Sequence, residues 1–153
     1  MNRQQLLQKL DKAWLALADS FAGLSGAQMT EPGVSGEWSV KDILGHVTTW
    51  EQEALTHLPH IAAGQRPPRY ADVYGGIDAF NALRAAENRA LSLAEVLTRF
   101  EDVHGQLVAM IAAAPDELLT TETRYRRRIR LDTYSHYPVH AEAIREWREQ
   151  RGY

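Results

Sequence analysis

The chain has 153 residues, of which 44% are hydrophobic and 24% are charged. These values are typical of globular proteins, exclude collagen-like and disordered classes, and predict a single domain over residues 1–153. With 17 basic and 20 acidic residues the formal net charge is -3, so we expect no nucleic-acid partner.

The first predicted helix runs from Arg3 to Phe21, because its apolar residues recur every three or four positions and form one stripe. Residues 24–38 follow and are rich in glycine, proline, serine and threonine. This composition predicts a loop between the first helix and the second.

The second predicted helix begins after Ser39. Asp42 stands three positions later, which is the spacing of a capping box. The apolar stripe continues to about Ala63, where Gly64 closes the helix. Pro59 lies within this span and predicts a kink or an early end.

A long connection is predicted for residues 64–76, which contain two consecutive prolines, a glycine pair and two tyrosines. Such a loop often borders a functional site. A short helix is predicted for residues 77–91. Ser92 and Glu95 repeat the capping-box spacing and predict another long helix, which Pro115 ends.

Residues 120–133 carry arginine on both faces of any helix and show little core pattern. We interpret them as a solvated connection or a basic rim. The last helix is predicted to begin between Asp132 and Ser135. Ser135 as N-cap would place Pro138 in the first turn, where its missing N–H costs nothing.

The predicted fold is all-α. No segment alternates apolar and polar residues as a half-buried strand does. Four amphipathic helices, one additional short helix and a long crossover connection are typical of a four-helix bundle. No apolar run approaches the roughly 20 residues of a membrane-spanning helix, so we expect a cytoplasmic protein with no membrane partner.

Histidine spacing supplies the strongest chemical signal. The chain has no cysteine, so a metal would have to be bound by histidine and carboxylate side chains. His136 and His140 are four residues apart and share one helix face. His46 lies on the inward stripe of the second helix, whereas His104 is predicted to be a hydrogen-bonded histidine at the edge of the core.

Three imidazoles from two helices would form an open set of ligands for one divalent ion, Zn²⁺, Ni²⁺ or Fe²⁺. Three ligands leave positions for water or substrate, which favours catalysis over a purely structural role. The alternative is that each histidine is an isolated core or surface residue.

Three segments, residues 37–51, 96–119 and 130–147, resemble the DinB-like (YfiT-like) superfamily of metal-binding four-helix bundles, near the branch that contains ClbS and DfsB. The resemblance covers nearly the whole chain. Its most specific parts are residues 38–42 with the histidine that follows, and the paired histidines near the end of the chain.

This resemblance implies a function as well as a fold. His46, His136 and His140 match the metal-binding triad of the family, whose members include transferases that use an external low-molecular-weight thiol such as mycothiol or bacillithiol. A metal-dependent thiol transferase or hydrolase acting on a small electrophilic compound is therefore implied, with a homodimer expected. The ClbS/DfsB branch implies an alternative, non-catalytic small-molecule binding or self-protection.

Several neighbours of the triad are candidates for further roles. Glu53 and Tyr137 are candidate catalytic residues, although a surface carboxylate and a packing tyrosine are the plainer interpretations. The candidate substrate-binding residues are Trp50, one turn from His46, and the arginines that precede the last helix, Arg126, Arg128 and Arg130. These arginines could bind a carboxylate or phosphate, or form a solvated charged face.

Overall fold

A computed structural model describes residues 1–153 and contains nine helices and no β-strand. In chain order the helices are α1 Arg3–Phe21, α2 Gly26–Met29, α3 Val40–Ala62, α4 Tyr70–Tyr74, α5 Ile77–Arg89, α6 Leu93–Ala113, α7 Asp116–Leu119, α8 Arg124–Asp132 and α9 Tyr137–Arg151. The all-α prediction is confirmed, and α2 and α4 are short helices within segments predicted as loops.

The four long helices α1, α3, α6 and α9 form the bundle, which confirms the predicted architecture. Helix α3 packs chiefly against α6, and α1 packs chiefly against α9. A cluster of 25 buried apolar residues fills the space between them, and α5 and α8 pack on α3. None of the helices combines the length and the apolar character needed to cross a membrane.

The start of α3 follows the predicted capping box. The backbone N–H of Asp42 donates to Ser39 Oγ at 3.1 Å, and the N–H of Ser39 donates to Asp42 Oδ2 at 3.0 Å. Each group satisfies an N–H that the first helical turn leaves free. The helix continues past Pro59 to Ala62, and Gly64 beyond it adopts a φ of 82°.

Helix α5 lies very close to the turn of α3 that precedes His46. A Cβ atom on Gly45 would lie 3.0 Å from Asn88 Nδ2. The same Nδ2 donates to Thr49 Oγ1 at 3.2 Å. Glycine at position 45 therefore permits the close approach of the two helices.

The arginine-rich segment is helix α8, so the prediction of a solvated connection is wrong. Tyr125, Ile129 and Asp132 are spaced four and three positions apart and are buried. This spacing places them on one helix face. This buried pattern was not recognised in the sequence because arginines occupy most of the intervening positions. An arginine stem can cover apolar surface while its charged end reaches solvent, so these arginines are compatible with a packed helix.

The last helix begins after His136, and the predicted cap at Ser135 is wrong. The carbonyl oxygen of Thr133 accepts from the backbone N–H groups of His136 and Tyr137, both at 2.8 Å. This tight turn leaves Ser135 exposed. Pro138 lies in the first helical turn as predicted.

Replacing Ile129 with alanine should lower the free energy of unfolding by about 2–5 kcal/mol, because the side chain is fully buried. Leu131 lies on the same helix and is 54% exposed, so Leu131→Ala should change stability by no more than about 0.5 kcal/mol. Urea unfolding of both variants measures the difference. Equal effects would contradict the packing of α8 against the bundle.

Candidate metal centre

Three histidine side chains converge inside the bundle. His46 lies on α3, His136 precedes α9 and His140 lies in its first turn. The Nε2 atom of His136 is 3.0 Å from that of His46 and 2.9 Å from that of His140. The structure thus brings together the residues that the sequence predicts as a triad, while their binding of a metal stays a prediction.

Burial keeps these imidazoles uncharged at neutral pH. Burial, assisted by repulsion from the other two rings, lowers the pKa of His46 to about 3. Burial and the neighbouring His140 lower the pKa of His136 to about 3, and burial lowers the pKa of His140 to about 4. Each neutral ring then carries one proton and one nitrogen lone pair.

The donor set fits a divalent cation. A neutral imidazole nitrogen holds either a proton or a lone pair, so His136 Nε2 can form a well-aligned hydrogen bond with only one of its two neighbours. Imidazole nitrogens bind Zn²⁺ at about 2.0–2.1 Å, which places two ligands of a tetrahedral site about 3.4 Å apart. The two separations that involve His136 are 2.9 and 3.0 Å, within about 0.5 Å of that value. Nitrogen donors also suit Ni²⁺ and Fe²⁺.

A cavity of about 390 Å³ opens beside the triad, and His46 and His136 form part of its wall. The other lining residues come from α3, the α4–α5 segment and α8. They are Trp50, Tyr70, Ile77, Asn81, Arg128, Leu131 and Asp132. A small molecule in this cavity would therefore lie next to two imidazoles.

Arg128 is held by hydrogen bonds within this cavity. Its Nε donates to Asp132 Oδ2 at 2.5 Å, and its terminal nitrogen donates to the Tyr70 hydroxyl at 2.8 Å. Burial raises the pKa of Asp132 to about 6, although Arg128 opposes this shift. Burial also raises the pKa of Tyr70 to about 12, so its hydroxyl stays protonated and donates to Glu53 Oε1 at 3.1 Å.

Only one of the three predicted substrate-binding arginines lines the cavity. Arg128 does so, together with the predicted Trp50. Arg130 donates to Glu122 Oε1 at 2.9 Å, and Arg126 lies 3.8 Å from the other oxygen of the same carboxylate. Both therefore pair with Glu122 and lie outside the cavity lining.

Neither candidate catalytic residue lines the cavity. Glu53 accepts from Tyr70 and lies 3.6 Å from His57 Nε2. Tyr137 is fully buried, and its hydroxyl donates to Glu51 Oε1 at 2.5 Å. Their catalytic roles stay predictions.

Sequence reasoning missed the buried carboxylate of Glu51. Its Oε1 accepts from Tyr137 and lies 3.1 Å from His104 Nδ1, and the His104 ring stacks on Trp14 with the centroids 3.5 Å apart. His104 is thus the hydrogen-bonded core histidine that we expected. A glutamate one turn from the inward Val47 was the available signal, although glutamate is rarely buried unless it is paired.

Tyr70 and Asn81 were also missed, because they belong to the predicted connection and short helix. The two tyrosines and the glycine pair of residues 64–76 were the only sequence signal for this wall of the cavity. Asn81 accepts from Trp50 Nε1 at 2.9 Å, and no local pattern predicts such a pairing between helices.

Solved structures resemble this fold along nearly its whole length. The sibling lethal factor precursor DfsB has a TM-score of 0.83 at 18% identity, covering 99% of this chain and 97% of its own. A protein from Escherichia coli UTI89 has a TM-score of 0.82 at 18% identity, covering 99% and 95%. At such identities the likeness establishes the fold.

A third structure corrects one expectation. The colibactin self-resistance protein ClbS, solved in complex with a dsDNA, has a TM-score of 0.80 at 17% identity, covering 95% of this chain and 94% of its own. This finding contradicts our exclusion of a nucleic-acid partner, which is therefore wrong. Net charge is an average over the chain, whereas α8 alone concentrates five arginines in nine residues and local charge governs contact with phosphates.

A search of curated proteins found no significant sequence match. The sequence model of the DinB superfamily matches residues 9–149, which include all four long helices and the three histidines. This match covers most of the chain and agrees with the fold. The chain belongs to the DinB superfamily.

Proposed function

We propose that this chain is a metal-dependent enzyme that acts on a small electrophilic compound. His46, His136 and His140 would bind one divalent ion, Zn²⁺, Ni²⁺ or Fe²⁺. When bound, such an ion acts as a Lewis acid and lowers the pKa of a thiol or of water, so that either can attack at neutral pH. The chain has no cysteine, so a thiol would come from a separate low-molecular-weight cofactor.

One observation carries this proposal: three neutral imidazoles converge, and two of them, those of His46 and His136, line an open cavity. A structural metal site is closed by protein ligands, whereas a catalytic site leaves a position for water or substrate. The only carboxylate that lines the cavity belongs to Asp132, and it is paired with Arg128. Three protein ligands and an adjacent space favour a catalytic site.

The chain's own residues would position the substrate. Trp50 donates from Nε1 to Asn81, and its ring centroid lies 5.2 Å from that of Tyr70. These contacts fix one wall of the cavity beside His46. A wall held this way can orient a bound molecule toward the triad.

The alternative is a non-catalytic protein that binds or sequesters a toxic small molecule. It is supported by the likeness to ClbS, which is described as a colibactin self-resistance protein. The same cavity would serve this function, and a metal would then be unnecessary or structural. The two proposals differ in whether an added electrophile is consumed or only bound.

Loss of one histidine should abolish stoichiometric metal binding. Protein purified without an affinity tag and titrated with Zn²⁺, Ni²⁺ or Fe²⁺ should bind about one ion per chain, and His140→Ala should bind about 100-fold or more weakly because it lacks one of three ligands. Isothermal titration calorimetry and elemental analysis measure both quantities. Circular dichroism checks that the variant keeps its helices.

His60→Ala is the matched control, because His60 is exposed and bonds only to the nearby Gln65. It should bind metal as the wild type does. The proposed mechanism would be contradicted if the wild-type protein took up none of the three metals. It would also be contradicted if His140→Ala bound metal as tightly as the wild type.

Metal-loaded protein should consume a small electrophile such as chlorodinitrobenzene or a simple epoxide. The rate should fall by at least about tenfold in His140→Ala or after chelation, because the activating ion is lost. Assays with and without a low-molecular-weight thiol separate a transferase, which requires the thiol, from a hydrolase. Binding without consumption of any electrophile in the panel would favour the alternative.

A further inference from the structure

Two exposed apolar side chains meet at the cavity beside the triad. Ile77 is 53% exposed at the start of α5, and Leu131 is 54% exposed at the end of α8. Both line the same cavity although 54 positions separate them in the sequence. Apolar side chains that gather at a cavity are typical of a ligand site.

Trp50 and Tyr70 add aromatic rings to the same lining, and their polar atoms already form hydrogen bonds within the protein. Trp50 donates its only N–H to Asn81 Oδ1 at 2.9 Å. The Tyr70 hydroxyl donates to Glu53 and accepts from Arg128. A ligand would therefore contact the carbon surface of these rings rather than free hydrogen-bonding groups.

The positive charge of Arg128 in the cavity is balanced by the carboxylate of Asp132. Arg128 is the only arginine or lysine side chain in the cavity lining. Its guanidinium pairs with Asp132 at 2.5 Å and lies 5.9 Å from the centroids of Trp50 and Tyr70. An anionic ligand would have to compete with this internal carboxylate, which disfavours a carboxylate or phosphate as the recognised group.

We propose that this cavity, whose lining includes Trp50, Tyr70, Ile77 and Leu131, binds the uncharged, planar aromatic part of the substrate. The volume of about 390 Å³ lies in the range of small-molecule sites. Its position beside His46 and His136 places the reactive end of such a molecule next to the triad. This inference rests on the proposed function, since it names the substrate class of that site.

Two fluorescent dyes that share one ring skeleton test this claim on the metal-free, full-length chain. The uncharged dye N-phenyl-naphthylamine should bind saturably, and its sulfonated analogue anilinonaphthalene sulfonate should bind about tenfold or more weakly. Fluorescence titration gives both affinities. Tighter binding of the sulfonate, or no binding of the uncharged dye, would overturn the proposal.

A pair of variants on α5 assigns the binding to this cavity. Ile77→Glu should weaken the binding of the uncharged dye about tenfold or more, because it introduces a charge next to the ligand. It should not harm the helix, since a carboxylate near a helix N-terminus is favourable. Leu83→Glu is the control, because Leu83 is 47% exposed on the same helix and lies outside the cavity lining. Equal weakening by both variants would contradict the proposed location.

Metal titration of the same preparations separates this inference from the proposed function. Dye binding that depends on Ile77, with no metal uptake, would leave the aromatic site intact and overturn only the metal-dependent mechanism. Metal uptake at the triad without dye binding would overturn only the substrate class.

Discussion

The convergence of three uncharged imidazoles inside the bundle is the constraint on which the candidate site depends. Neutral rings at 2.9–3.0 Å cannot all hydrogen-bond to one another, so the cluster leaves lone pairs unsatisfied unless a cation accepts them. The Nδ1 atom of His136 is likewise buried without a protein partner. Unsatisfied buried polar groups are costly, and this cost supports the proposal that the cluster binds a metal ion.

Several contacts at different levels of structure hold the histidines in place. The capping box of Ser39 fixes the start of α3, and Gly45 allows α5 to approach the turn before His46. On the other side, the carbonyl of Thr133 fixes the turn that carries His136. The buried hydrogen bond from Tyr137 to Glu51 then joins α9 directly to α3.

The same helices also build the cavity. Because α8 packs on α3 immediately before the turn to α9, its buried face brings Asp132 and Arg128 next to the triad. Arg128 in turn bonds to Tyr70, 58 positions earlier in the chain. The result is a cavity with aromatic and aliphatic walls, an internal ion pair, and the candidate metal ligands at one side.

The sequence predicted those parts of the structure that depend on interactions between residues close together in the chain. The stripe of α1, the capping boxes of α3 and α6, and the spacing of His136 and His140 all depend on residues within one or two helical turns. Helix α8 was missed because arginines surround its buried stripe. The bonds of Glu51 to Tyr137 and of Tyr70 to Arg128 could not be predicted, since they join residues that are distant in sequence and follow no periodicity.

X-ray absorption spectroscopy of the zinc-loaded protein tests the central claim most directly, because it reports which atoms surround the ion. The account predicts three imidazole ligands at about 2.0–2.1 Å and at least one further light-atom ligand that exchanges with added thiol or solvent. A zinc ion bound by carboxylates, or by fewer than two imidazoles, would contradict the assignment of His46, His136 and His140 as the metal centre.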